Sequence, residues 1–246
     1  MLLGLVSDPH ANLPALEAVL VDIERVRPDA VVCLGDFVGY GASPNEVVDV
    51  LKERCAVSLV GNHDLAALAQ VDLKIFNPHA AAAARWTAAH LAAGTAEFLR
   101  GLPSRAFFEG LLVAHASPRD PIWEYVMDSS TAAANLETEE FEVGFVGHTH
   151  VPAVFWTTPE GVSGMQVVVP DEGVQALDFP PGRLLLNPGG VGQPRDGDPR
   201  ASWATWDTDA RTFSVRRLPY RVEDAQKAIL AGGLPEVLAE RLSEGW

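Results

Sequence analysis

The chain is short of basic residues, of cysteine and of long apolar runs. Lys and Arg total 18 against 33 Asp and Glu, a net charge of −15. A surface of that sign repels nucleic-acid backbones and anionic membranes, so neither a nucleic-acid polymer nor a bilayer is the expected partner. A small anionic substrate stays admissible, because a metal site reverses the sign locally. The 2 cysteines, Cys33 and Cys55, sit in or beside apolar stretches and read as reduced residues of a core. No apolar run approaches the roughly 18–20 residues of a membrane span. No basic stretch precedes the apolar residues 2–6, a run too short for a secretory leader. A cytoplasmic protein is the expectation. Repeats and linkers are also missing from the 246 residues, which predicts one domain over 1–246.

What the chain does have is a recurring grammar. Five of the 7 histidines fall in short polar motifs, each placed after an apolar run. The motifs are Asp8-Pro9-His10, Gly35-Asp36, Gly61-Asn62-His63-Asp64, Ala114-His115 and Gly147-His148-Thr149-His150. The runs before them cover 2–6, 30–34, 56–60, 111–113 and 143–146. A lone Asp after a strand is more often a cap or turn former, and a lone His a satisfied core or surface residue. A metal site needs several convergent donors, and the set supplies them. Asp8 and His10 are two apart in an expected extended segment, where both point to one side; His148 and His150 repeat that spacing. The two oxygens of the Asp36 carboxylate can bridge two ions, and Asn62 adds a neutral amide oxygen. Such oxygen and imidazole donors suit manganese, iron, zinc or similar ions. His79 and His90 fall in an alanine-rich helical stretch and are given no part in the site.

Periodicity orders the rest. Residues 2–7, 31–34 and 56–60 read as strands separated by helices, over 13–26 with Asn12 as N-cap and from 44 onward with Ser43 and Glu46 in a capping-box pattern. That alternation implies parallel pairing. Residues 78–100 read as helical, and 106–109 with 111–114 as a hairpin around Gly110. After His150, strands over 151–157, 165–169, 184–186, 201–206 and 212–218 predict mostly antiparallel pairing. Helices over 223–230 and 235–242 close the chain. The expected architecture is α/β, with two sheets packed together and helices outside.

In this order the motifs resemble the calcineurin-like metallophosphoesterase superfamily, and most of all its bacterial phosphodiesterase and diadenosine-tetraphosphatase-like branch. The resemblance spans residues 2 to about 218. It implies a four-layer αββα sandwich of two mixed sheets with a dinuclear site at the strand ends. By the same resemblance Asp8, His10, Asp36 and His150 hold one ion. Asp36, Asn62, His115 and His148 hold the other, which makes Asp36 the shared ligand. The ions are then about 3.5–4 Å apart. His63 becomes the catalytic histidine beside the phosphate, not a ligand. One departure stands out: Ala11 occupies a place where the family commonly has glycine, which predicts a minor backbone adjustment. Asn12 is left with two readings, a phosphate contact or the cap of the first helix.

The chemistry implied is phosphoester hydrolysis by a metal-bridging hydroxide, since two ions lower the pKa of a shared water and clamp phosphoryl oxygens. The formal charge of two divalent ions exceeds that of Asp8, Asp36 and a hydroxide, so the centre attracts phosphate. Protonated His63 would then aid the leaving oxygen. The Gly- and Pro-rich residues 187–202 read either as a surface turn cluster or as a rim over the metals, with Arg195 meeting substrate charge. Residues 115–125, with Arg119, Trp123 and Tyr125, read as a leaving-group pocket or as packing. A small phosphorylated substrate is the expected partner. Two alternatives remain: a serine/threonine protein phosphatase, and a non-catalytic scaffold of the same fold. Protein phosphatases of the superfamily follow Gly-Asp with a segment ending Asp-Arg-Gly. Residues 35–41 here, Gly-Asp-Phe-Val-Gly-Tyr-Gly, lack that arginine, which favours diesters over monoester dianions.

Overall fold

Each apolar run of the N-terminal half becomes a strand, and each intervening amphipathic stretch a helix. β1 (Leu2–Val6), α1 (Leu13–Val26), β2 (Ala30–Cys33), α2 (Pro44–Arg54), β3 (Val57–Ser58) and α3 (Asn62–Ala67) follow in order. The computed structural model describes residues 1–138, 141–171 and 173–246. α4 (Pro78–His90) and α5 (Ala93–Arg100) lead to the hairpin of β4 (Arg105–Phe108) and β5 (Leu111–Ala114), then α6 (Ser129–Leu136) and β6 (Val143–Phe145). The strands β7 (Ala153–Thr158), β8 (Gly161–Gln166), β9 (Val174–Asp178), β10 (Leu184–Asn187), β11 (Ala201–Asp207) and β12 (Thr212–Leu218) precede α7 (Val222–Ala231) and α8 (Val237–Glu240).

The strands form two mixed sheets of six, ordered β3-β2-β1-β11-β12-β9 and β4-β5-β6-β10-β7-β8. In the first, β1, β2 and β3 run parallel; in the second, β5, β6 and β10 do. The remaining neighbours are antiparallel. A shared core fills the space between sheets, with Leu3, Leu5 and Trp206 from one meeting Val113, Phe145 and Leu186 from the other. The outer face of the first sheet packs Val6, Cys33 and Trp203 against Leu16 and Val19 of α1, Val47 and Leu51 of α2, and Leu99 of α5. The outer face of the second packs Leu112, Phe155 and Leu185 against Ala132 and Leu136 of α6. These are the helix, sheet, sheet and helix layers the motifs implied. Both cysteines are free. Among the described residues no helix is long and apolar enough to cross a membrane.

Four local expectations change. The alanine-rich helix is two helices, because Leu91 turns extended and the Asn45 amide clamps the break, accepting from Ala92 N at 2.8 Å and donating to His90 O at 2.9 Å. Ser43 makes no side-chain cap, so the capping box with Glu46 does not form; Pro44 starts α2 instead. The strand expected over 165–169 is β8, shifted towards the N-terminus. Phe155 lies opposite Gly164 and covers it, its Cδ1 being 2.1 Å from where a Cβ would stand. β9 and α6 were not foreseen; α6 starts at Asp128, whose carboxylate accepts from Ser130 N and Thr131 N at 2.9 Å.

Candidate metal centre and its cleft

All five motifs leave their strands at one edge of the paired sheets. Three loops zip together there through main-chain bonds. Asp8 N donates to Gly35 O at 3.0 Å, His10 N to Asp36 O at 3.0 Å and Ala11 N to Phe37 O at 2.8 Å. Gly192 N donates to Asp8 O at 3.0 Å, so residues 188–193 are a buried brace beneath the first loop. The expected extended geometry of the donors is corrected. β1 ends at Val6 and β6 at Phe145. Asp8, His10, Asp36, His148 and His150 then adopt φ of 53°, 45°, 55°, 64° and 61°. Convergence comes from tight left-handed turns rather than strand alternation. Left-handed backbone costs a non-glycine residue roughly 1–2 kcal/mol, and such strain gathers at functional sites. Ala11 also takes φ 52°, which explains why a glycine suits that place and what its Cβ must bear.

The turns deliver a buried donor set. Asp8, Asp36 and His115 have no exposed surface, and His10 and His150 are 1% exposed. Three imidazoles are fixed by backbone carbonyls: His10 Nδ1 donates to Val38 O at 2.9 Å, His115 Nδ1 to Leu34 O at 2.9 Å and His150 Nδ1 to Gln193 O at 2.5 Å. Each Nε2 therefore carries a lone pair pointing inward. His10 Nε2 and His150 Nε2 stand 3.1 Å apart, two lone pairs face to face. His150 Nε2 is 3.3 Å from Asp8 Oδ1. Asp36 Oδ2 is 3.6 Å from both His10 Nε2 and His115 Nε2, and Asn62 Oδ1 is 3.2 Å from His115 Nε2. Asp8 Oδ1, Asp36 Oδ2 and His148 Nε2 are buried without a hydrogen-bond partner.

Electrostatics point the same way. Burial, then neighbouring imidazoles, holds His10 well below its usual pKa, and burial holds His148 down at about 2. Burial also lowers His115 and His150. Asp36 is pushed well above the carboxylate range by burial and by Asp64 and Asp8. Neutral imidazoles and a frustrated carboxylate in one buried pocket are a donor set suited to a cation. Among the described residues, Asp8, His10, Asp36 and His150 form one candidate metal cluster, and Asp36, His115 and His148 another. The donors fit hard to borderline divalent ions.

A cleft of about 300 Å³ opens over this edge, lined by His63, His148, Arg195, Tyr40, Trp123 and Tyr125 among others. His63 lies outside both clusters. Its N–H donates to Asp36 Oδ1 at 2.8 Å, its Nδ1 is buried without a partner, and its ring meets Tyr40 at 4.4 Å and Phe76 at 5.0 Å. Trp123 lies edge-on to Phe76 at 5.8 Å, and Tyr125 stacks on His148 at 4.1 Å. Residues 115–125 thus contribute cleft wall. Arg119 does not line it, being bound to Glu124 at 2.7 Å; Arg200 is tied to Asp198 at 2.7 Å. Both ends of the Asn12 amide are engaged: Oδ1 caps α1 by accepting from Ala15 N at 3.2 Å, and Nδ2 donates to Gly192 O at 2.8 Å. His90 stacks on Trp86 at 3.9 Å, and neither it nor His79 lines the cleft.

Several contributors had no role in the sequence reading. Ser7 Oγ donates to Asp8 Oδ2 at 2.5 Å, orienting the free Oδ1 inward. Asp64 accepts from Gly61 N at 2.9 Å and Val38 N at 3.0 Å, locking the Asn62 turn to the Asp36 loop. Its place inside the Gly-Asn-His-Asp motif was a usable signal. Arg241 lines the cleft from the C-terminal turn after α8, and nothing local marks it.

Comparison with known proteins agrees with this geometry. Residues 1–211 match the calcineurin-like phosphoesterase superfamily domain, and the chain belongs to that superfamily. Membership implies phosphoester hydrolase activity, and the family typically binds divalent metals. The chain is 42% identical to a metallophosphoesterase from Sphaerobacter thermophilus, whose crystal structure it matches with a TM-score of 0.89 over 100% of this chain and 99% of that one. It is 36% identical to an uncharacterised protein of Methanocaldococcus jannaschii over 99% of this chain and 98% of that protein. A hypothetical protein of Pyrococcus horikoshii, 20% identical, shares the fold with a TM-score of 0.81 over 100% of this chain and 98% of that one.

Proposed function

We propose that the protein is a dinuclear metal-dependent phosphoesterase acting on phosphodiesters or related small phosphate compounds. The observation that carries this reading is Asp36 Oδ2, 3.6 Å from an inward Nε2 in each of the two donor clusters. Asp8, His10, Asp36 and His150 would hold one ion; Asp36, Asn62, His115 and His148 the other. Manganese, iron and zinc suit that donor set. Bound there, two divalent ions would supply Lewis acidity towards phosphoryl oxygens and lower the pKa of a water in the site.

The chain's own residues do the rest. His63 sits beside the donors with its Nδ1 uncommitted. Burial, and then Arg195, lowers its pKa well below the usual value; an anionic phosphate alongside favours the protonated form. Substrate binding thus draws a proton from solvent onto His63, which passes it to the departing oxygen. Arg195 lines the same cleft as His63 and meets substrate charge there, and Asn12 serves as a helix cap rather than a phosphate contact. Tyr40 and Phe76 keep water from His63. A diester carries one negative charge and needs less cationic help than a monoester dianion, consistent with the missing arginine in residues 35–41.

The test is reconstitution with manganese, iron(II) or zinc, metal analysis, and kcat/KM on aryl diesters, monoesters, cyclic nucleotides, dinucleoside polyphosphates and a phosphopeptide. Two ions per chain and a diester or anhydride preference are expected. A preference for the phosphopeptide would promote the protein-phosphatase reading. A fully loaded protein inert towards every ester would leave a binding scaffold.

A further inference from the structure

Gln193 is 1% exposed, an unusual place for a glutamine. It ends the brace of residues 188–193 and stands two positions before Arg195. Its polar atoms take separate tasks. The main-chain oxygen accepts from His150 Nδ1 at 2.5 Å. Oε1 accepts from Arg195 Nη2 at 3.0 Å. Nε2 is buried with no hydrogen-bond partner. An unpaired buried donor costs stability, a cost that a methionine of similar length would not incur. The amide therefore does not serve the fold, and among the described residues its one side-chain bond runs to the arginine of the cleft. Other arginines of this region are held by acids: Arg200 pairs with Asp198 and Arg217 with Asp196. Among the described residues the polar contacts of Arg195 are neutral oxygens, Gln193 Oε1 and, at 3.3 Å, Tyr40 Oη. A carboxylate at 193 would grip the guanidinium harder but offset its charge. An amide of the same shape holds it and leaves the charge for an anion.

We infer that Gln193 is a positioning residue: its amide sets Arg195 in the cleft with the charge uncompensated, and its main chain ties that arm to the imidazole of His150. The arm that meets substrate and a donor of the metal centre thus share one anchoring residue. This deepens the phosphoesterase reading and rests on it for the reaction, though not for the hold on Arg195.

A double-mutant cycle tests it. Metal-loaded full-length protein is titrated with inorganic phosphate by calorimetry, and each variant is checked by metal analysis. Gln193→Met should weaken phosphate binding about tenfold, the range of a misplaced charge-assisted contact. It should leave metal content unchanged, because the bond to His150 comes from the main chain, and it should not lower Tm, because the unpaired donor is gone. In an Arg195→Gln background the same change should cost nothing further. Gln193→Glu, which holds the arginine but offsets its charge, should lose at least as much as Gln193→Met. On an aryl diester the loss should appear in KM rather than kcat. An equal loss from Gln193→Met with and without Arg195, or phosphate binding by Gln193→Glu that matches the parent, would overturn the assignment. If the phosphate titrations show the expected coupling but the loaded parent hydrolyses no ester, the phosphoesterase reading falls and the positioning role stands.

Discussion

His63 touches the donor network through its main chain and the cleft through its ring, so its two attachments can be separated. Its N–H holds Asp36 Oδ1, a contact that any side chain preserves. His63→Ala should therefore keep both metal equivalents while lowering kcat by roughly 10²–10⁴-fold, the usual worth of a general acid. Loss of one metal equivalent in that variant would make His63 a ligand instead. The imidazoles also set a pH dependence. His148 falls from 6.5 to about 2 on folding, and His10, His63, His115 and His150 fall as well. Below about pH 6.5 the unfolded chain binds protons at these positions more readily than the folded one, so they remove stability as pH drops. Asp36, and Asp64 at about 7, are raised by burial and act in the opposite sense, but they are two groups against five. The metal-free protein should thus have a lower Tm at pH 5 than at pH 7; a flat or inverted profile refutes the neutral-imidazole assignment. At this scale the donors were legible because each sits in a short motif after an apolar run. Arg241 was not, because a single arginine in a polar C-terminal turn carries no local mark of where the turn docks.

Among the elements, the turn after β3 depends on Gly61 for space rather than for φ, which is −108°. A Cβ on Gly61 would stand 2.1 Å from Asp36 Oδ1 and 2.7 Å from Asp36 N. Asp36 cannot retreat, since its Oδ1 is held by His63 N and its carbonyl by His10 N. Gly61→Ala is therefore expected to displace the Asp36 carboxylate, proposed above as the shared ligand, and to cut metal content at both proposed sites, as read by metal analysis of purified protein that remains folded by circular dichroism. An unchanged metal content would show that Asp36 is not the shared ligand. Helices and parallel strands before residue 60 were readable from period and caps. The break between α4 and α5 was not, because the residue that closes it, Asn45, is remote in sequence. β8 slipped for a related reason: Gly164 interrupts the apolar pattern, and its cover comes from Phe155 on the neighbouring strand.

At the scale of the molecule, the donors divide between the sheets. Asp8, His10, Asp36 and Asn62 follow strands of one; His115, His148 and His150 follow strands of the other. Ions bound there would join the sheets as the core of Trp206 and Phe145 does. A tight ion present at 100 times its dissociation constant adds about 2.7 kcal/mol to stability. Stripping the protein with a chelator should therefore lower Tm by several degrees, reversibly on adding metal back; no shift would mean that the sites bind weakly or not at all. The two-sheet plan was legible from strand count and spacing, whereas the sheet edges and the partner of each late strand depended on contacts between distant segments. The strand order also fixes a timetable for the nascent chain. β1 lies between β2 and β11, so one of its flanks waits for residues 201–207. At typical synthesis speeds of about 5–20 residues per second that wait is roughly 10–40 s. Until then the ribosome holds an N-terminal sheet fragment with an open edge, at risk of mispairing. An N-terminal fragment lacking β11 is correspondingly expected to be insoluble, even though it carries every donor of the metal centre.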